Sequence, residues 1–126
     1  MSGKIILTDK APAPIGPYSQ AVWQNGFLFC SGQIALNPAS GEMIQDSIEA
    51  ETRQVMENIG ALLHEAGLNY SHIVKTSIFI TDMNDFAKIN GVYATYFSSN
   101  YPARETVQVS ALPKGAHVEI SVIASK

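Results

Sequence analysis

The sequence predicts an α+β domain of two layers, with two helices on one face of a mixed sheet, and three observations carry that prediction. Asn25-Gly26 lies between two short apolar stretches, the strongest short-range signature of a β-hairpin. From Ile48 onward, Val55, Met56, Ile59, Leu62, Leu63 and Ala66 recur at helical spacing, which marks a long amphipathic helix. The run His117-Val118-Glu119-Ile120-Ser121-Val122 alternates strictly, so it forms a strand with two chemically different faces.

Each element follows in order. Met1-Ser2-Gly3-Lys4 leads into a short strand and carries no apolar core of a signal peptide. Ala11 to Pro17 holds three of the six prolines, which excludes helix and regular strand and leaves a stiff loop able to place Tyr18. Ala21-Val22-Trp23 and Phe27-Leu28-Phe29-Cys30 are the two strands of the hairpin. Asn37 to Gly41 is a turn into a short stretch at Met43-Ile44. Asp46, with Glu49 three residues on, is the expected N-cap of the first helix, and Gly67 its stop. The β-branched run Ile73 to Thr81 is a strand. Asp82 is expected to cap a second helix with Met83, Phe86, Ile89, Tyr93 and Phe97 turned inward, ending before Asn100 and Pro102. Glu105 to Ala111 and His117 to Ala124 are the last strands, and the turn Leu112-Pro113-Lys114-Gly115 predicts that they pair as a hairpin. The order is therefore β-β-(β)-α-β-α-β-β.

The last strand turns Val118, Ile120, Val122 and Ala124 towards the helices, leaving His117, Glu119, Ser121 and Ile123 on the other face. A half-apolar face with no chain left to cover it predicts self-association, with pockets between subunits. A chain of 126 residues with 46% hydrophobic content builds one core, so residues 1–126 are read as one domain. The net charge of −3, with no basic run, disfavours nucleic acid and anionic lipid. A single cysteine, Cys30, leaves no intramolecular disulfide and fits the reducing cytoplasm. No apolar run approaches the ~20 residues of a membrane span. His64, His72 and His117 have no metal-ligand spacing, so no metal is expected, and no cofactor motif is present.

The chemistry concentrates in Pro102-Ala103-Arg104 and in Glu119, fifteen residues after the arginine. A guanidinium is a rigid fork of donors suited to a small carboxylate, and an acid on an otherwise apolar strand needs a reason to be there. Together they suggest a pocket for a small organic acid, although a solvated arginine and a salt-bridged glutamate explain each residue alone. Tyr18 offers a hydroxyl or a packing lid. Ser31-Gly32 offers a hydroxyl and an unobstructed N–H, or a bulge relieved by glycine. Asn90, in mid-helix, is a contact residue or an outward polar one. Cys30, inside an apolar strand, is read as core.

As a set, Ile15-Gly16-Pro17-Tyr18-Ser19-Gln20, Ser31-Gly32-Gln33-Ile34, Val74-Lys75-Thr76, Phe86-Ala87-Lys88-Ile89-Asn90, Pro102-Ala103-Arg104 and Leu112-Pro113-Lys114 with Val118-Glu119-Ile120 resemble the reactive intermediate deaminase (Rid, YjgF-like) family. The resemblance implies a chorismate-mutase-like fold, with sheets forming a central barrel in a homotrimer and clefts between subunits. It further implies cofactor-independent hydrolysis of 2-imino or enamine acids, such as 2-iminobutanoate and 2-iminopropanoate, to 2-oxo acids and ammonia. By the same resemblance Arg104 clamps the substrate carboxylate, Glu119 positions water, Tyr18 and Ser31 line the cleft, Asn90 supports it, and backbone near Gly32 and Thr106 binds the polar head. Many deaminating members follow Pro-Ala-Arg with Ser-Cys-Val-Glu, where this chain has Glu105-Thr106-Val107-Gln108. Other members are described as translation-inhibiting ribonucleases or partners of regulatory proteins, so a ligand- or partner-binding role is the alternative.

Overall fold

The computed structural model describes residues 3–126; Met1 and Ser2, part of the stretch expected to lead into the first strand, lie outside the described residues. The strands are β1 (Lys4–Ile6), β2 (Ala21–Gln24), β3 (Phe27–Gln33), β4 (Ile73–Ile80), β5 (Ala103–Gln108) and β6 (Val118–Ser125), and the helices α1 (Ile48–Glu65) and α2 (Phe86–Ala94). They build the expected α+β sandwich: one six-stranded mixed sheet in the order β1-β2-β3-β6-β4-β5, with the helices packed on one face. The β2–β3 hairpin turns at Asn25 and Gly26, whose φ values of 53° and 81° are the left-handed pair that Asn-Gly favours. Met43 makes only an isolated bridge to Leu36.

Three expectations need correction. The last two strands do not pair with each other. β5 lies parallel to β4 at the sheet edge, and β6 inserts antiparallel between β3 and β4. The reason is burial: Val118, Ile120, Val122 and Ala124 are each at most 3% exposed and need neighbours on both sides. β5, largely exposed and rich in polar side chains, suits an edge. The turn at Pro113–Gly115 does reverse the chain, but its loop steps across β4 instead of joining adjacent strands.

Ser47, not Asp46, caps α1, its hydroxyl accepting from the Ala50 N–H at 3.0 Å. Asp82 caps a separate 3-10 turn, Met83–Asp85, by accepting from the Asn84 N–H, and α2 begins only at Phe86. Met83 is therefore exposed, while Ile89, Val92 and Tyr93 form the buried face of α2.

The core lies between the helices and the sheet, where Leu28, Met56, Ile59, Leu62, Leu63, Ile78 and Ile120 are fully buried. The opposite sheet face is open and carries exposed Phe27, Phe29, Val74 and Val107. No helix among the described residues is long and apolar enough to cross a membrane.

Candidate active site

Arg104 and Glu119 sit on opposite faces of the sheet. Arg104 pairs in register with Thr76, a residue buried under the helices, whereas Glu119 pairs with Phe79 across the open face. The predicted site residues thus fall into two cavities of a single chain. Tyr18, Ser31, Gly32 and Glu119 line one of about 380 Å³. Asn90 and Arg104 line the other, of about 460 Å³, with Tyr93, Tyr101 and Pro102. Thr106 lines neither, and its hydroxyl is buried without a hydrogen-bond partner among the described residues.

In the first cavity the chain is built around the carboxyl of Glu119. Gly32 allows it to settle onto β3: a methyl group there would lie 2.9 Å from Glu119 Cδ and 3.1 Å from its Cγ. Burial raises the Glu119 pKa above the ordinary carboxylate value. The ion pairs among the described residues are Lys75 with Glu105 and His117 with Glu51, so none offsets that burial. A carboxyl in this state holds a proton more readily than an exposed one and can both accept and return it. The Ser31 hydroxyl donates to the Ser19 carbonyl at 2.6 Å, so what it turns to a ligand is an acceptor oxygen. Tyr18, at the mouth, accepts a long contact of 3.5 Å from the Ile15 N–H and keeps its own proton to donate.

The second cavity presents a fixed cation. Arg104 Nη1 donates to Asn90 Oδ1 at 2.7 Å, and the guanidinium lies 5.2 Å and 5.7 Å from the ring centres of Tyr93 and Phe86. Tyr93 is itself held by its hydroxyl, which donates to Thr76 Oγ1 at 3.1 Å. Hydrogen bonding and stacking fix the plane of the fork before any anion arrives. Glu105 does not compete for it. Strand alternation points Glu105 to the open face, where it meets Ser77 and, at 2.9 Å, Lys75; Ser77 first and then Lys75 lower its pKa.

Two buried carboxamides escaped the sequence reading. Gln20 is 1% exposed and binds the segment Thr8–Pro12. Asn58, also 1% exposed, donates to the carbonyls of Ile34 and Leu36, on the opposite wall of the Glu119 cavity. A signal existed for Asn58, which lies three residues after Val55 and four before Leu62 and so falls within the apolar stripe of α1. For Tyr93 the sequence signals only an inward place on the helix stripe, and its stacking on Arg104 emerges from the fold.

This fold recurs in a known class of small α+β proteins. The sequence profile described as Endoribonuclease L-PSP matches residues 8–126. The chain is 46% identical to the mouse 2-iminobutanoate/2-iminopropanoate deaminase, covering 96% of this chain and 90% of that one. The crystal structure of the Rid-family protein YyfA from Yersinia pestis, of unknown function, superposes with a TM-score of 0.96 at 52% identity, covering 99% of this chain and all of that one. That of Escherichia coli TdcF with bound serine superposes at 0.94 with 44% identity, covering 98% of this chain and 98% of that one. The chain belongs to the reactive intermediate deaminase (Rid, YjgF-like) family.

Proposed function

We propose that the protein hydrolyses small 2-imino acids, 2-iminobutanoate and 2-iminopropanoate among them, to 2-oxo acids and ammonia. The observation that carries this reading is the half-buried carboxyl of Glu119, raised in pKa and without an ion-pair partner among the described residues, in a cavity that also holds an acceptor oxygen and a phenol. The mouse relative's name supports the reaction class.

The chemistry follows from the groups. A protonated imine is already electrophilic at C2, so catalysis requires orientation, a placed water and proton transfer. Glu119 takes a proton as water adds to C2, giving a carbinolamine. Returned to the nitrogen, that proton lets ammonia leave, while the C2 hydroxyl gives up its own proton to Glu119 and becomes a carbonyl; Glu119 then passes that proton to the departing ammonia, which leaves as ammonium. Ser31 Oγ accepts an N–H of the iminium, and Tyr18 donates to the substrate at the mouth. Arg104 takes the carboxylate in its fork.

Because Arg104 and Glu119 lie on opposite faces of one sheet, a reaction centre using both needs a second copy of the chain. We propose a homotrimer in which the Arg104 cavity of one subunit meets the Glu119 cavity of the next. The exposed Phe27, Phe29, Val74 and Val107 on the open face support burial between copies. An RNA substrate is disfavoured by the net charge of −3.

The test is release of 2-oxo acid from enzymatically generated 2-iminobutanoate and 2-iminopropanoate, measured above spontaneous hydrolysis. Glu119→Gln is expected to lose about 10²-fold to 10⁴-fold, the usual worth of a general acid–base group. A folded, assembled wild type that fails to accelerate hydrolysis refutes the proposal.

A further inference from the structure

Pro12, Ala13 and Ile15 form one wall of the Glu119 cavity, and Tyr18 stands at the end of the same segment. This wall belongs to a strap, residues 8–18, that has little means of holding itself in place. Pro12, Pro14 and Pro17 lack N–H groups, and the strap's own backbone hydrogen bond, from the Tyr18 N–H to the Gly16 carbonyl, closes a turn within it. Ala11, 2% exposed, is its apolar anchor.

Among the described residues, each hydrogen bond that ties Thr8–Pro12 to the body of the fold runs to one side chain, Gln20. Its Oε1 accepts from the Thr8 N–H at 2.8 Å, and its Nε2 donates to the carbonyls of Thr8, Ala11 and Pro12 at 3.0, 3.3 and 2.9 Å. Three acceptors share two protons, so the amide is fully committed, and the flipped amide would set its oxygen against three carbonyls and its NH2 against the Thr8 N–H. Gln20 also stands just ahead of β2, and its own carbonyl accepts from the Ser31 N–H at 2.9 Å. The residue that pins the strap is therefore seated on the strand carrying Ser31 and Gly32.

We propose that Gln20 is a positioning residue for the Glu119 cavity: its buried carboxamide sets the register of the Pro-rich strap, and through it the place of Pro12, Ile15 and Tyr18 opposite Glu119. The proposal rests on reading that cavity as the reaction site. It assigns Gln20 no contact with the reacting atoms.

Two variants separate the role from simple stability. Gln20→Met keeps the volume and removes all four hydrogen bonds, while Gln20→Glu keeps the acceptor for Thr8 and turns an oxygen on three carbonyls. Both are expected to lower kcat for 2-iminobutanoate by about 10-fold to 100-fold, since ~1 Å of misplacement at a reaction centre costs that much. Leu63→Ala, in the core of α1, serves as a control of matched destabilisation and keeps wild-type kcat. Amide exchange at Thr8 and the Tyr18 ring resonances are read in parallel without substrate, with faster exchange and shifted resonances expected in both variants. A folded Gln20→Met with wild-type kcat, or with wild-type exchange and Tyr18 resonances, overturns the proposal. If the wild type does not hydrolyse imino acids, the reaction reading fails on its own. The exchange and resonance data then decide whether Gln20 sets the strap.

Discussion

Replacing Gly32 with alanine measures how closely the Glu119 carboxyl is seated on β3. The new methyl would lie 2.9 Å from Cδ and 3.1 Å from Cγ, with a carboxylate oxygen closer still, where ordinary contact begins at 3.4 Å, so the carboxyl must retreat by about one ångström. Gly32 has no positive φ, which makes the effect steric and not a matter of backbone strain. Overpacking costs about 1–3 kcal/mol, and a side chain that can swing places this case near 1 kcal/mol. If Glu119 transfers protons as proposed, its displacement should lower kcat/KM by about 10-fold or more. Urea unfolding gives the stability change, read as a shifted midpoint at constant slope. The decisive comparison is the same substitution in a Glu119→Ala background, where the cost should vanish and leave a coupling of about 1 kcal/mol. An equal cost in both backgrounds, or full activity in Gly32→Ala, would refute the reasoning.

Three further outcomes are expected. Burial raises the folded pKa of Glu119 above its unfolded value of about 4.3, so ionising it opposes folding. Glu119→Gln should match wild-type stability below that window, gain on it as pH rises through the raised folded value, and keep a constant advantage above. A difference independent of pH between about 3 and 8 contradicts this. Arg104→Lys supplies a charge without the fork or the stacking on Tyr93 and Phe86, and should lower kcat/KM by about 10-fold to 100-fold, the worth of a charged hydrogen bond. Retention of wild-type kcat/KM would show that charge alone suffices. Burial pushes the Cys30 thiol up to about 12, so it should resist thiol reagents in native protein and react only on unfolding; labelling at the rate of an exposed thiol would count against the structure around β3.

What could be read in the sequence was local. The Asn-Gly hairpin, the stripe of α1, the β-branched run of β4 and the alternation of β6 each depend on neighbours within one element, and all appear as expected. Strand order depends on which strand needs two neighbours. The wholly apolar face of β6 against the polar residues of β5 held that clue, but the turn at Leu112–Gly115 argued for the nearer pairing. The site shows the same division. Arg104 and Glu119 stand out by residue type. Their separation onto two faces follows from register with Thr76 and Phe79, which sequence alternation alone cannot supply. Gln20 was hidden because its partners are backbone carbonyls of a loop, and these carry no side-chain signature.

The place of β6 between β3 and β4 has a consequence for how the molecule is made. The centre of the sheet is filled by the strand that leaves the ribosome after the other five. Until it arrives, β3 and β4 each have an open edge, and the residues meant to cover Leu28 and Ile78 are missing. The Arg104 half belongs to the continuous β4–α2–β5 unit and can organise early, whereas the Glu119 half waits for contacts that span most of the chain. During synthesis the half that carries Arg104 therefore takes shape before the half that carries Glu119, and the last strand to emerge is the one that completes the Glu119 cavity.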